Sequence, residues 1–214
     1  MQLTATDVRL ILSGRSRSVF DRLTGQQGPP DLSGVLSVQI GAQTERLNLD
    51  WLHRRVEGGS LYRLPRPGMV TGTLEPIAGQ CVVSRDGYRA KADGFLVLPD
   101  LGTLVVEAKH VSEGRPAGQI QAEYLPQLFV TMHVCGLELG VLSVFYGLAR
   151  HTAYFVRWDE AYWAAIEREV RAFQAHLELG IPPDGEEEPA MARLTLPPFA
   201  TRAPRRGRES GTGC

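Results

Sequence analysis

Two apolar, β-prone runs, Ala92–Leu98 and Thr103–Lys109, are separated only by Pro99-Asp100-Leu101-Gly102, a segment of turn formers. That spacing predicts an antiparallel hairpin, and a hairpin this apolar needs cover on its faces. Strand alternation in the second arm puts Val105, Glu107 and Lys109 on one face and Leu104, Val106 and Ala108 on the other. Glu107 and Lys109 therefore point the same way. Asp93, fourteen residues before Glu107, stands near the start of the first arm.

An acid and a lysine at the end of an apolar strand cost free energy unless they are paired or bind a metal, and Asp93 on the adjacent strand would repel Glu107. A divalent cation between the two carboxylates removes that repulsion. Mg²⁺ takes hard oxygen ligands and keeps several waters, so Asp93, Glu107 and a backbone carbonyl such as that of Ala108 would leave room for a phosphate and an attacking water. Lys109 would orient or deprotonate the water, or stabilise charge developing on the phosphate. The competing reading is plainer: Asp93-Gly94 as a turn or bulge, and Glu107 with Lys109 as a surface ion pair on an edge strand. Short motifs of this kind need structural context to decide them.

Two further polar residues fall on apolar helical stripes. The segment Gly41–Val56 predicts a helix in which Glu45, Leu49, Leu52 and Val56 share one side. Glu45 reads either as a site residue or as a first-turn acid favoured by the helix dipole. The segment Gln119–Val134 predicts a mostly helical crossover, with Gln127 on the face of Ile120, Tyr124, Val130 and Val134. A neutral amide there can hold a water or a lysine amine without competing for a cation. Pro126 is expected to kink or restart that helix.

These stretches together resemble the lambda exonuclease branch of the PD-(D/E)xK nucleases, the YqaJ-type viral recombinases, over Leu3 to about Leu179. Leu3-Thr4-Ala5-Thr6-Asp7-Val8 is similar to the family's opening segment, Gly41-x-x-x-Glu45 to its Gly-x-x-x-Glu helix, and Asp93-Gly94 with Glu107-Ala108-Lys109 to its catalytic hairpin. Tyr124-x-x-Gln127 matches the next helix, and Phe155 to Glu160 leads into the last one. The resemblance implies an α/β fold of restriction-endonuclease type, a central mixed sheet flanked by helices. It implies Mg²⁺ or Mn²⁺ held by Asp93 and Glu107, with Glu45 acting directly or through water, Lys109 as the catalytic lysine, and Gln127 in support. It further implies double-stranded DNA ends as substrate, 5′ to 3′ digestion in recombination, a homotrimer and a single-strand annealing partner.

Departures are visible too. Phe129 stands where the family's second glutamine is common, and Ala92 where proline precedes the catalytic acid. Thr4 and Thr6 match hydroxyl positions of a 5′-phosphate pocket, whereas the expected upstream arginine would precede Met1; Arg15 is the substitute in reach. Two other functions stay open on the same residues: an endonuclease, and a DNA-binding recombination protein without catalysis.

A chain of 214 residues with 43% hydrophobic content suits one domain, expected at 1–180. Within it a first helix is expected over about Asp7–Leu23 and a strand over about Ala90–Leu98 leading into the hairpin. A last helix is expected over about Glu160–Leu179, where Tyr162, Ile166, Val170, Phe173 and Leu177 form a core stripe. The net charge of −1 means that attraction for phosphates must be local. Cys81, Cys135 and Cys214 are odd in number and far apart, which points to a reducing compartment and falls short of the four thiolates of an iron–sulfur site. No apolar run approaches the roughly 20 residues of a membrane span, so the protein is expected in the cytoplasm of a bacterial or phage-infected cell. After Gly180, the Pro- and Glu-rich and then Arg-rich composition of 181–214 is expected to remain a disordered tail.

Overall fold

In the computed structural model, residues 2–28, 30–66, 68–77, 80–184 and 188–202 are described. The expected hairpin is present. Strands β6 (Gly94–Leu98) and β7 (Gly102–Val111) pair antiparallel, with Phe95 opposite Val105 and Gly94 opposite Val106. Helix α4 (Ala117–Cys135) then carries the chain to β8 (Leu139–Tyr146), which pairs with β7 in parallel. Strand β9 (Arg150–Arg157) returns antiparallel to β8, and α5 (Glu160–Leu179) follows. With β2 (Ser60–Tyr62) beside β6 and β10 (Phe199–Ala200) beside β9, they form a six-stranded mixed sheet of order β10-β9-β8-β7-β6-β2.

A second sheet was not foreseen. It has four strands in the order β1-β5-β4-β3, built from β1 (Leu3–Thr4), β3 (Thr73–Ile77), β4 (Gln80–Arg85) and β5 (Tyr88–Lys91). The single strand expected over Ala90–Leu98 is therefore two strands, β5 in one sheet and β6 in the other, and Asp93 lies in the bend where the chain passes between them.

Alternation along β7 sorts two cores. Val105 packs with residues of α1 (Ala5–Leu10), α4 and α5, whereas Leu104, Val106 and Ala108 pack with Leu49 and Leu52 of α3 (Leu36–Arg55) on the opposite face. Both faces being covered explains why β7 and β8 are almost continuously apolar. Gly94 permits the close approach of α3: a Cβ there would lie 3.3 Å from the Tyr62 carbonyl oxygen and 3.4 Å from Leu49.

Three expectations need adjustment. The first helix, expected over about Asp7–Leu23, is α1, a π-helical turn (Ile11–Arg15) and α2 (Ser16–Leu23), with Gly14 at φ 78° inside the turn. Helix α4 runs without interruption through Pro126. Leu125, Leu128 and Phe129 beside it are fully buried, and that packing offsets the hydrogen bond that proline removes. Within 181–214, the described part forms a 3₁₀ turn (Ala190–Arg193) with Ala190 buried, followed by β10 paired with β9, so composition underrated what Ala190 and Phe199 can pack. The tail arginines Arg205, Arg206 and Arg208 lie outside the described residues.

Candidate metal and catalytic site

The ladder between β6 and β7 stops at Gly94 opposite Val106, and the next inward amide of β7 would be left without a partner. Asp93 supplies one. Its Oδ2 accepts from the Ala108 backbone N–H at 2.9 Å, which fixes the carboxylate against the Glu107–Ala108 peptide. The bend at Asp93 is thus both a sheet crossing and an anchor.

Glu107 is 1% exposed. Its Oε1 accepts from Lys109 Nζ and from Gln127 Nε2, the latter at 2.5 Å, while its Oε2 is buried with no hydrogen-bond partner among the described residues. Burial pushes the Glu107 carboxyl up to about 7, against the pull of Lys109 and with the help of the Asp93 charge. Burial also works against the Lys109 ammonium, but the Glu107 and Asp93 carboxylates outweigh it and hold its pKa above the ordinary lysine value. Lys109 is therefore a charged donor near neutral pH. Its Nζ also lies 5.3 Å from the centre of the Tyr124 ring.

Glu45 approaches from α3, on the other face of the sheet. Burial raises its pKa, and the Asp93 charge raises it further, while Lys91, Arg63 and Lys109 oppose this. Its Oε2 is 4.0 Å from Lys91 Nζ. Among the described residues, no three His, Cys, Asp or Glu side chains converge as a ready-made cation cage, so Glu45 stands outside the core pair.

The donor set at the core suits a hard cation. Asp93 and Glu107 offer oxygens only, and an orphaned buried carboxylate oxygen costs at least about 1–3 kcal/mol unless a proton or a cation meets it. Gln127 differs in detail from the expected role: it braces the Glu107 carboxylate, not the lysine.

The remaining expected residues fall elsewhere. The Thr4 hydroxyl accepts from the Asp7 N–H at 3.0 Å as the N-cap of α1, so it is committed, while Thr6 is exposed two residues on. The structure does not bring Arg15 to the carboxylates: it is exposed, its Nε donates to Ser13 Oγ at 3.3 Å, and Gly14 and Ser16 on either side of it line a small cavity with Glu169, Phe173, His176 and Arg193. Two arginines absent from the sequence reading do lie near Lys109. Arg9 Nη1 and Arg115 Nη2 clasp the two oxygens of Glu123 at 2.9 and 2.8 Å, and Arg9 lies 5.3 Å from the centre of the same Tyr124 ring. Nothing in their local sequence marks them, since they come from α1 and from the loop before α4.

Also missed is a polar cluster beneath β7, formed by Asn48, Ser143 and His151. A signal existed for Asn48, which falls between Leu47 and the buried Leu49, four residues after Thr44.

No protein-family profile matches the chain, and no curated protein matches it. Solved structures do. The alkaline exonuclease LHK-Exo of Laribacter hongkongensis, also solved in complex with dAMP, is 20% identical, with a TM-score of 0.53 over 84% of this chain and 89% of that one. A phage-related exonuclease of Haemophilus somnus 129PT is 11% identical, with a TM-score of 0.60 over 84% of this chain and 94% of that one. The shared feature is the fold, a central mixed sheet flanked by helices.

Proposed function

We propose that this protein is a divalent-metal-dependent deoxyribonuclease that digests double-stranded DNA from its ends, in the 5′ to 3′ direction, in recombination. The observation that carries the reading is Glu107: a buried carboxylate with one oxygen braced by Lys109 and Gln127 and the other without a partner, beside Asp93. A surface ion pair would not be buried, and a binding module has no use for an orphaned acceptor. The exonuclease fold of the two structural neighbours agrees with it.

In this reading Asp93, Glu107 and the Ala108 carbonyl would hold Mg²⁺ or Mn²⁺, and Glu45 would act through water. The cation, when bound, acts as a Lewis acid on the phosphate and lowers the pKa of water. Lys109, charged and aimed at Glu107, donates to oxygen that gains charge as the new P–O bond forms and the ester P–O bond breaks. Gln127 keeps Glu107 Oε1 occupied, so that Oε2 would be the oxygen left to hold a cation.

Cations flank the core on both sides, Lys91 and Arg63 around Glu45, and Arg9 and Arg115 beyond Tyr124. They give a path for the phosphate backbone that the overall charge of −1 does not foretell. Thr6 and Arg9 are the better candidates for the end phosphate, since Thr4 is a cap and Arg15 lies apart. A homotrimer and an annealing partner remain part of the proposal through the resemblance.

The test is digestion of linear and covalently closed plasmid, with Mg²⁺ and with EDTA, by wild type and Lys109→Ala. Loss of linear DNA alone, dependent on Mg²⁺ and on Lys109, is expected. Cutting of the closed circle would make it an endonuclease, and no metal-dependent cutting of either would refute the assignment.

A further inference from the structure

We infer that Asn48 is a positioning residue, held in one orientation by Ser143 and His151, that sets Glu45 and the Lys109 segment in place relative to Asp93 and Glu107. The inference rests on the function proposed above, and it begins from a question of support. Every residue of the first turns of α3, from Leu36 to Ile40, is exposed, and Glu45 lies where that half gives way to the packed half. An isolated helix end of this kind has little to hold it.

Two hydrogen bonds tie α3 to β7 around Glu45. Thr44, one residue before it, has its Oγ1 3.1 Å from His110 Nδ1. Asn48, three residues after it, donates through Nδ2 to the Lys109 carbonyl at 3.0 Å and to the Ser143 carbonyl at 3.1 Å. The residues gripped on β7 are therefore the catalytic lysine and its successor. Asn48 and Ser143 are 1% and 0% exposed, so these bonds face no competition from water.

The hydrogen bonds also have one direction. Both carbonyls can only accept, so the Asn48 nitrogen must face them and Oδ1 must face Ser143 Oγ, 2.5 Å away. An amide oxygen can only accept, so the Ser143 hydroxyl donates to it. His151 Nε2, 2.8 Å from the same hydroxyl oxygen, must then be the donor in that contact. The path runs from β9 through β8 to α3 and ends on β7. Reversing the amide would set Oδ1 against two carbonyl oxygens, so the two carbonyls and the Ser143 hydroxyl together fix its orientation.

A residue of this kind acts as ligand-orienting partners do at metal sites, where loss of one lowers metal affinity or activity by roughly 10–100-fold. It differs from ordinary core packing in what it disturbs. Asn48→Leu fills the same space without the hydrogen bonds, and the full-length protein carrying it is measured for melting temperature, Mn²⁺ affinity by calorimetry, and kcat and KM on linear DNA. The expected result is a drop of about 10–100-fold in Mn²⁺ affinity and in kcat with KM close to wild type, alongside a lower melting temperature, because the Lys109 and Ser143 carbonyls lose a buried donor.

A companion pair reads the far end of the path: His151→Phe, which has no donor, is expected to lower Mn²⁺ affinity, and His151→Gln, which has one, to retain most of it. Where Asn48→Leu does not fold, this pair decides, and equal affinities in the two variants overturn the inference. Wild-type Mn²⁺ affinity and kcat in a folded Asn48→Leu overturn it as well. The Mn²⁺ titration requires no cleavage. Wild type that binds Mn²⁺ but cuts no DNA would therefore sink the nuclease assignment alone, and wild type that binds no Mn²⁺ would sink both.

Discussion

The two faces of β7 carry two buried polar clusters that differ in one respect. On the α4 side, Glu107, Lys109 and Gln127 leave a carboxylate oxygen unmet, whereas on the α3 side Asn48, Ser143 and His151 satisfy one another and the backbone. A saturated cluster specifies geometry, and an unsaturated one against the same strand has capacity left for a ligand. Burial alone does not separate chemistry from support. The unfilled valence does.

The comparison breaks most sharply at the carboxylates. Asp93→Ala or Glu107→Ala is expected to abolish DNA cleavage with the circular dichroism spectrum intact; retained activity in either would place the chemistry elsewhere. Next in size is Lys109→Ala, for which kcat should fall roughly 10²–10³-fold, as for removal of one donor to developing charge. A loss confined to KM would instead make Lys109 a DNA contact.

Metal binding should then appear as stability. Mg²⁺ or Mn²⁺ at about 100 times Kd contributes about 2.7 kcal/mol, or roughly 5–10 °C in melting temperature for a chain of this size. EDTA and Asp93→Ala should each remove that increment. Without the cation the sign of the pH dependence is set by Glu107, whose pKa in the fold, about 7, lies above its ordinary 4.5. Its contribution is fully present below about 4.5 and is lost as pH rises through about 7. Melting in EDTA should accordingly decline across that window, and the decline should flatten when Mg²⁺ is added. A rise in its place would contradict the burial of an unmet carboxylate.

The smallest effect belongs to the saturated side. Burial, with the Arg55 charge adding to it, pushes the His151 imidazole down to about 4 from its ordinary 6.5. Its contribution is present above about 6.5 and is lost as pH falls through about 4. His151→Gln should weaken that acid sensitivity, measured as melting temperature between pH 4 and 7, and an unchanged profile would mean that the imidazole does not carry it.

How much of this was legible follows from which residues are neighbours in the chain. Glu107 and Lys109 share a face because alternation on a strand makes them, and Asp93 reaches them through a hairpin closed by Pro99-Asp100-Leu101. Gln127 shows on an apolar helical face, though its actual partner, the Glu107 carboxylate, does not. The break at Asp93 was hidden, because nothing in Ala90–Leu98 tells a continuous strand from two strands in different sheets. Leu36 to Ile40 were not foreseen as helix, since exposed apolar residues carry no periodic stripe to read.

By itself the sequence determined the α/β class, the hairpin with its acid, acid and lysine, and the final helix, which runs over Glu160–Leu179 as its stripe predicts. These depend on side-chain periods and turn chemistry that act within a few residues. Only the tertiary structure decided that the Glu107 carboxylate is buried with an oxygen to spare, that Glu45 arrives on the helix covering the opposite face, and that Asn48 ties that helix to the Lys109 and Ser143 carbonyls. Those facts depend on contacts between segments separated by as many as 95 residues, and such contacts exist only once the sheet and its two covering layers have formed.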